Sequence, residues 1–342
     1  MAKMRMSNME LLRIVSMLFV LILHANFIGI HAPTKVDLDA APLSTFFRCF
    51  TEASAIVAVD VFVLISGWFG IRFSIKKLSA FLFQVLFFSL GFFIVFSVIN
   101  PSEAFTIDRI KGIFLLNGDY WFVKAYLILF ILSPVLNAFV DKASQKEFLT
   151  FLVSFYTFHT IYGWFMDASV AFTMNGTTGL SFIGLYMLGR YVRLFPSYLT
   201  CLPKEKDLLI YLGGVLILCV FNLLFLYLNH SITVSGRLYS YASPIVIASS
   251  LYFLLFFSKL SFTSKKVNWV ASSCFAVYLF HCNGFFFKDY FREPIYYLYH
   301  KTAASVFWIT LYVFLIYMIA VFIDKIRIYL WKVVLSNVKF QK

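Results

Sequence analysis

Charged side chains are scarce in this chain, and acidic ones are the scarcest. Only 13% of its 342 residues are Asp, Glu, Lys or Arg, and 16 acidic residues stand against 29 basic ones. Hydrophobic residues make up 61% of the sequence, and phenylalanine alone occurs 44 times. A soluble domain of this size needs more polar surface than such a composition provides. We therefore interpret the chain as an integral membrane protein that is embedded in a lipid bilayer.

Cysteines are also few. The five thiols are scattered along the chain, their number is odd, and none of them forms a CxxC pair. A disulfide framework would need an even set at regular spacings, and a zinc motif would place its cysteines in close pairs. The sequence therefore predicts neither a disulfide scaffold nor a metal site.

The excess of basic residues does not indicate nucleic-acid binding. A net charge of +13 would raise that question for a soluble protein. In this chain the basic residues occupy short segments between apolar runs, which is the pattern that sets membrane topology. If the N-terminus is cytoplasmic, the segments on that side hold most of the Lys and Arg residues. Both termini are therefore predicted to lie in the cytoplasm, and no nucleic-acid partner is expected.

Long polar segments are absent as well. Apolar runs of membrane-spanning length recur along the whole chain. They cover residues 8–28, 49–70, 79–99, 120–140, 147–166, 178–195, 208–228, 238–258, 268–288 and 304–324. The predicted fold class is an all-α integral membrane protein, a bundle of about ten transmembrane helices. Because the connecting loops are short, residues 1–342 are predicted to form a single membrane domain with no appended soluble domain.

The first apolar run contains three ionisable residues. Glu10, Arg13 and His24 all fall between residues 8 and 28, where each is costly to place in a bilayer. At about 100° per residue, Arg13 and His24 project from the same helix face, roughly 16 Å apart along the axis. Glu10 lies one turn before Arg13 and joins the same stripe.

Other ionisable residues fall inside the later apolar runs. Depths counted from the inner helix ends place Asp60 near mid-span, His281 slightly beyond it, and His24, Lys124 and Glu52 in the outer half. Together with Arg13 they form a polar column through the membrane. Such groups imply mutual pairing or a water-filled cavity, and either Glu52 or Lys124 is placed to set the tautomer of His24.

Each of these residues also has a purely structural interpretation. A membrane histidine commonly serves as a hydrogen-bond partner between helices, which applies to both His24 and His281. Glu10 with Arg13 is also consistent with a pair that reaches toward the inner interface. Asp60 is the hardest to explain structurally, because an unpaired carboxylate at mid-span is costly.

Four blocks of the sequence resemble the acyltransferase 3 family of bacterial membrane O-acyltransferases. The first is Arg13, ten intervening residues and His24 in the first span. The second block runs from Asp60 to Gly67, and the third runs from Tyr120 to Pro134. The fourth block runs from Ser273 to His281. The blocks occur in the family's order and extend over most of the chain.

The resemblance implies transfer of an acyl group, usually acetyl from cytoplasmic acetyl-CoA, to a hydroxyl of a cell-envelope glycan or exopolysaccharide precursor. Acyl-CoA would be a co-substrate, with no bound cofactor, and the location would be a bacterial cytoplasmic (inner) membrane. His24 would act as general base or acyl acceptor, and Arg13, oriented by Glu10, would hold the donor. The residues expected to be catalytic are His24, Arg13, Asp60 and Glu52; those expected to bind donor or substrate are Glu10, Lys124, Trp121, Tyr278 and His281.

The sequence departs from the family pattern at two places. Many members carry an Arg-x-x-Arg pair after the second span, whereas this chain has Arg72 followed by Lys76 and Lys77. Many also carry a glutamate shortly after the tryptophan of the fourth span, where this chain has Lys124. Neither of those two family roles is carried over to this chain.

A secondary transporter or glycan flippase is the competing hypothesis. In that case the polar column would be a substrate path or a proton relay. The sequence shows no evident inverted repeat, and the spacing of Arg13 and His24 favours the enzyme. A purely structural or sensory protein would leave Asp60, Lys124 and the two histidines unexplained.

Overall fold

The fold is helical throughout the part of the chain that the structure describes. The computed structural model describes residues 6–166, 173–228 and 237–337. The structure is 81% helical, and no strand occurs among the described residues. The predicted all-α class is therefore confirmed.

The α-helices of the described residues vary in length from 4 to 33 residues. In chain order they are α1 (Ser7–Leu23), α2 (Lys35–Ala40), α3 (Pro42–Ala55), α4 (Ala58–Phe69), α5 (Ile75–Ile99), α6 (Pro101–Ala104), α7 (Ile107–Ile113), α8 (Trp121–Lys142), α9 (Gln145–Thr160), α10 (Gly179–Leu194), α11 (Lys204–Tyr227), α12 (Pro244–Ser258), α13 (Lys265–Ala271), α14 (Cys274–His281), α15 (Glu293–Lys301) and α16 (Ser305–Asn337). Three π-helical segments, His24–Gly29, Ile161–Met166 and Lys288–Arg292, and one 3₁₀ turn, Met174–Gly176, complete the set within the described ranges.

Six helices among the described residues are long and apolar enough to cross a membrane. They are Ser7–Gly29, Pro42–Phe69, Ile75–Ile99, Trp121–Lys142, Lys204–Tyr227 and Ser305–Val333. A bilayer core about 30 Å thick needs roughly 20 residues of α-helix, and each of these six meets that length. They correspond to six of the runs that the sequence predicted as spans.

The other four predicted spans are not confirmed as crossings. The runs 178–195 and 238–258 fall on α10 and α12, which have 16 and 15 residues. The run 147–166 falls on α9 and on the π-helical segment Ile161–Met166 that continues it, and this helix is not among the six candidate crossings. The run 268–288 contains two short helices, α13 and α14, with a break between them. A high content of apolar residues thus predicted helices, but not which of them combine the length and the hydropathy of a crossing. The orientation of the termini stays a prediction, and residues 1–5 and 338–342 lie outside the described residues.

Helix α1 lies at the centre of the helices that carry the polar residues. It packs against α3, α4, α12, α13 and α14. Its buried residues include Met9, Leu12 and Leu21, which are not exposed at all. Because several helices share α1 as a neighbour, a polar side chain on α1 can meet groups that are distant in sequence.

Helices α4 and α10 form an extensive contact, and glycines make it possible. A Cβ on Gly189 would lie 2.6 Å from the carbonyl oxygen of Leu64, and a Cβ on Gly67 would overlap the carbonyl of Tyr186. Small residues of this kind let membrane helices approach backbone to backbone. The close approach holds α4, and with it Asp60, firmly against the rest of the bundle.

Candidate functional site

His24 lies where the first membrane helix changes its geometry. Helix α1 is regular as far as Leu23, and the chain then widens into the π-helical segment His24–Gly29. Segments of π-helix are uncommon and often occur at functional sites, because the extra residue turns side chains away from the regular helix face. His24 is the first residue of this segment and is half-buried.

His281 is the last residue of α14 and is completely buried. The end of that helix is held by Tyr120, whose hydroxyl donates to the carbonyl oxygen of Leu279 at 2.6 Å. Asn283 in turn donates from Nδ2 to the Tyr120 hydroxyl at 2.8 Å. These bonds fix the position of the His281 ring relative to α8.

The two histidines form a hydrogen-bonded pair. His24 Nδ1 lies 3.0 Å from His281 Nε2, and His281 Nδ1 lies 2.6 Å from the carbonyl oxygen of Val277. A carbonyl oxygen only accepts, so His281 Nδ1 carries a proton, and in the neutral ring His281 Nε2 is an acceptor. His24 Nδ1 must then donate to it. With the proton of His24 on Nδ1, the lone pair of the neutral ring is on Nε2.

No hydrogen-bond partner for His24 Nε2 occurs among the described residues. This nitrogen is the one that a neutral His24 offers as a base or nucleophile. The pair thus resembles other arrangements in which a second group fixes the tautomer of a reactive imidazole. The difference is that the second group in this protein is another imidazole and not a carboxylate.

Cys282 completes a cluster of three potential ligand atoms. Its Sγ lies 3.3 Å from His281 Nε2 and 3.6 Å from His24 Nδ1. The sulfur and the two nitrogens all lie within 4.8 Å of one another, and these three residues are the only such group with metal-binding potential in the described ranges. The spacing of cysteines along the chain did not reveal this cluster, because His24 comes from the other end of the sequence.

A cavity of about 70 Å³ opens beside His24. Its walls are mostly apolar and aromatic. They are formed by Met17, Val20, His24, Val59, Phe62, Trp121, Phe122, Tyr241, Phe275 and Tyr278. Apolar walls with a few polar groups are typical of small-molecule sites, and an imidazole in such surroundings faces little competition from water.

Arg13 and Glu10 form an ion pair nearer the start of α1. Arg13 Nη1 lies 2.7 Å from Glu10 Oε1, while the guanidinium carbon lies 5.6 Å from the ring centre of Phe69. The Glu10 side chain is nearly buried and that of Arg13 is 31% exposed. Glu10 and Arg13 are therefore in contact, and among the described residues Glu10 occupies only one of the guanidinium nitrogens. That Glu10 orients Arg13 toward a donor stays a prediction.

The two carboxylates expected near His24 lie elsewhere. Glu52 is buried, and its Oε2 accepts from Asn26 Nδ2 at 3.0 Å. Asp60 is fully buried, and neither of its oxygens has a hydrogen-bond partner among the described residues. We expected a carboxylate to partner His24, and the structure places His281 there. Depth along a helix gave the level of each group in the membrane but not the direction in which it points.

Lys124 is likewise turned away from His24. Its Nζ donates to the carbonyl oxygen of Asn117 at 2.5 Å, in the segment just before α8. Of the residues predicted from the sequence, His24, Trp121 and Tyr278 line one cavity, and His281 bonds His24. Sequence reasoning missed Cys282, Tyr241 and Phe122; the position of Cys282 directly after His281 was the one signal available for them.

Comparison with known proteins agrees with this arrangement. The chain matches the family model described as an acyltransferase domain, the acyltransferase 3 family, over residues 6–324. No curated protein and no solved structure matches the chain. The match includes the histidine pair, the cavity and the Arg13–Glu10 pair. The chain therefore belongs to the acyltransferase 3 family and is a multi-pass membrane acyltransferase.

Proposed function

We propose that this protein transfers an acyl group, most simply acetyl, from acyl-CoA to a hydroxyl of a cell-envelope glycan or exopolysaccharide precursor. We place it in the cytoplasmic membrane of a bacterium. Family membership supports acyl transfer by a membrane protein. The donor, the acyl group, the acceptor and the membrane are our inference from the family resemblance and the chemistry of the site.

One observation carries the proposal: His24, which lines an apolar cavity, bonds His281 through Nδ1, and this bond leaves the lone pair of His24 on Nε2. In the direct route, Nε2 takes the proton of the acceptor hydroxyl while that oxygen attacks the thioester carbonyl carbon. The C–S bond then breaks, and the thiolate of CoA leaves and takes the proton back from His24. His281 holds the tautomer throughout, because it accepts from His24 Nδ1.

The same nitrogen supports a second route. In it, His24 Nε2 attacks the thioester first, forms an N–C bond and releases the CoA thiolate. The acceptor hydroxyl then attacks the acyl carbon of the acyl-imidazolium and the N–C bond breaks. The hydroxyl proton passes to the CoA thiolate by way of Nε2, which restores the neutral imidazole. Both routes need Nε2 unprotonated and facing the cavity, so the tautomer argument supports each of them equally.

Arg13 is proposed to hold the donor at the cytoplasmic end. It lies on the same face of α1 as His24, roughly 16 Å away along the axis. A phosphate or carbonyl of the donor can bind the guanidinium donors that Glu10 does not use. The elongated arm of an acyl-CoA would then extend along α1 toward the cavity.

The cavity walls suit an acyl group and a sugar ring. Trp121 and Tyr241 stack with their ring centres 6.0 Å apart, and Phe122 lies 5.7 Å from Tyr278. Aromatic faces bind the C–H surfaces of sugars and the apolar part of a thioester arm. A catalytic role for Asp60 and Glu52, and substrate binding by Lys124, stay predictions, since none of the three lines this cavity.

The test uses purified protein in detergent with radiolabelled acetyl-CoA and glycan acceptors. Wild-type protein should release CoA thiol and label the acceptor, and His24→Ala should slow both by at least about 10²-fold. The matched control is His159→Ala, because this buried histidine bonds Ser181 at 2.9 Å and neither residue lines the cavity. Substrate transport into vesicles that is independent of acyl-CoA, with no thiol release, would instead support the transporter.

A further inference from the structure

His24, His281 and Cys282 have the donor set of a soft-metal site. Imidazole nitrogen and thiolate sulfur are ligands that Zn²⁺ prefers, whereas Mg²⁺ and Ca²⁺ require oxygen ligands. Within the part of the chain that the structure describes, these residues form the one group of three His, Cys, Asp or Glu side chains spaced for an ion. Cys282 belongs to no CxxC pair, and His24 lies 258 positions before it, so spacing along the chain does not predict this site.

The distances between the three atoms are close to those in a zinc site. Nitrogens at about 2.0–2.1 Å and a sulfur at about 2.3 Å from a tetrahedral Zn²⁺ lie about 3.4 Å apart (N to N) and about 3.6 Å apart (N to S). The observed separations are 3.0 Å between the nitrogens, and 3.3 and 3.6 Å from nitrogen to sulfur. Movements of a few tenths of an ångström, within reach of small ring rotations, would therefore admit the ion.

The surroundings of His281 fit a ligand role. Metal-binding histidines usually donate their second N–H to a carbonyl or carboxylate, which fixes the ring and directs the other nitrogen to the metal. His281 does this through Nδ1, which donates to Val277 at 2.6 Å and leaves Nε2 facing the cluster. His281 and Cys282 are consecutive residues at the end of α14, so their relative positions are restricted by the backbone.

We propose that His24 Nδ1, His281 Nε2 and Cys282 Sγ bind Zn²⁺, and that the bound ion inhibits the protein. On binding, the Cys282 thiol loses its proton to solvent and an S–Zn bond forms. His24 Nδ1 must offer its lone pair to the ion, so the proton of that ring moves to Nε2. The nitrogen beside the cavity then becomes a donor, and the base is lost. This inhibitory part rests on the proposed function of His24, whereas metal binding does not.

The experiment measures metal binding without any substrate. Purified full-length protein is titrated with Co²⁺, whose bond to thiolate gives a charge-transfer absorption, and Zn²⁺ is then added to displace it. We expect one equivalent of cobalt in the wild type and loss of the band in Cys282→Ser. Cys274→Ser is the matched control, since Cys274 is a buried thiol on the same helix that bonds Tyr317 at 3.2 Å. Cys201→Ser removes the exposed thiol and should also keep the band.

Two results would overturn the site. One is the absence of a cobalt–thiolate band in the wild type. The other is a band that persists in a folded Cys282→Ser variant, as judged by its size-exclusion profile and thermal unfolding. Because these readouts need no acyl donor, they test the metal site independently of the proposed donor, acceptor and role of His24.

The inhibitory part has its own measurement. Zn²⁺ should reduce CoA release by the wild type, and inhibition of Cys282→Ser should need at least about tenfold more zinc, since a ligand is lost. Equal zinc sensitivity in the two proteins would reject inhibition through this site even when the cobalt band is present. The activity of the wild type without added zinc is measured separately, so failure of the inhibition would leave the proposed acyl transfer intact.

Discussion

Nδ1 of His24 lies 3.0 Å from Nε2 of His281, although 257 positions separate the two residues. The first belongs to the opening membrane helix and the second ends a short helix near the other end of the chain. The contact fixes which nitrogen of His24, a residue of the cavity wall, carries the lone pair. It therefore connects the fold to the proposed chemistry more directly than any other contact of the site.

Replacement of the two histidines should have different kinetic effects. We expect His24→Ala to lower kcat by about 10²–10⁴-fold, the range for loss of a positioned base. His281→Ala should lower kcat less and leave KM for acyl-CoA nearly unchanged, because His24 loses the acceptor that holds its tautomer. His281→Gln offers an amide oxygen to His24 and should recover part of the loss. Wild-type turnover in His281→Ala would show that His281 does not position His24.

Arg13 should act on donor binding more than on the chemical step. We expect Arg13→Gln to raise KM for acyl-CoA by about tenfold, equivalent to about 1.4 kcal/mol, with a smaller change in kcat. Arg72→Gln is the control, since it removes an exposed cation from the loop between α4 and α5. Steady-state kinetics over a range of acyl-CoA concentrations checks this. Equal effects of the two substitutions on KM would indicate a general charge effect and not a donor contact.

The glycine contact between α4 and α10 predicts a stability effect. Gly189→Ala places a Cβ 2.6 Å from the Leu64 carbonyl oxygen, so the helices must separate, at a cost of about 1–3 kcal/mol. Gly91→Ala is the control, because nothing lies within 4 Å of its Cβ position. Thermal unfolding in detergent should show a lower Tm for the first variant and an unchanged or slightly higher Tm for the second. Equal Tm values would mean that the helix contact is not tight.

The ion pair between Asp207 and Lys259 predicts a second stability effect. Lys259 Nζ lies 2.5 Å from Asp207 Oδ2, and the Asp207 side chain is fully buried. Lys259→Met leaves that carboxylate buried without a cation, which should lower the free energy of unfolding by about 1–3 kcal/mol. The double variant that also carries Asp207→Asn should regain part of the lost free energy of unfolding, since the uncompensated charge is removed.

The control for that pair is Lys204→Met. Lys204 lies 4.0 Å from Glu205, and both side chains are exposed, so the loss should be at most about 1 kcal/mol. Thermal unfolding of the four proteins in one detergent makes the comparison. If Lys204→Met destabilised the protein as much as Lys259→Met does, burial of the Asp207 carboxylate would not explain the larger effect.

Much of the fold follows from local sequence. Runs of apolar residues predicted helices, and six of them have the length and composition to cross a membrane. The four runs on α9, α10, α12 and the α13–α14 region are not among the helices whose length and composition suit a crossing. Composition cannot show this, because a break such as the one between Ala271 and Cys274 depends on the neighbours that stabilise it.

By itself, the sequence determined the class of the protein, the polar residues in its apolar runs and the family resemblance, since these depend on composition, order and spacing along one helix. The pairing of Arg13 with Glu10 belongs to this group, because one helical turn brings them together. Only the tertiary structure decided the partner of His24. Depths counted along the predicted spans place His24 level with Glu52 and Lys124. In the structure, however, Glu52 bonds Asn26, Lys124 bonds the Asn117 carbonyl, and His281 and Cys282 lie against the imidazole.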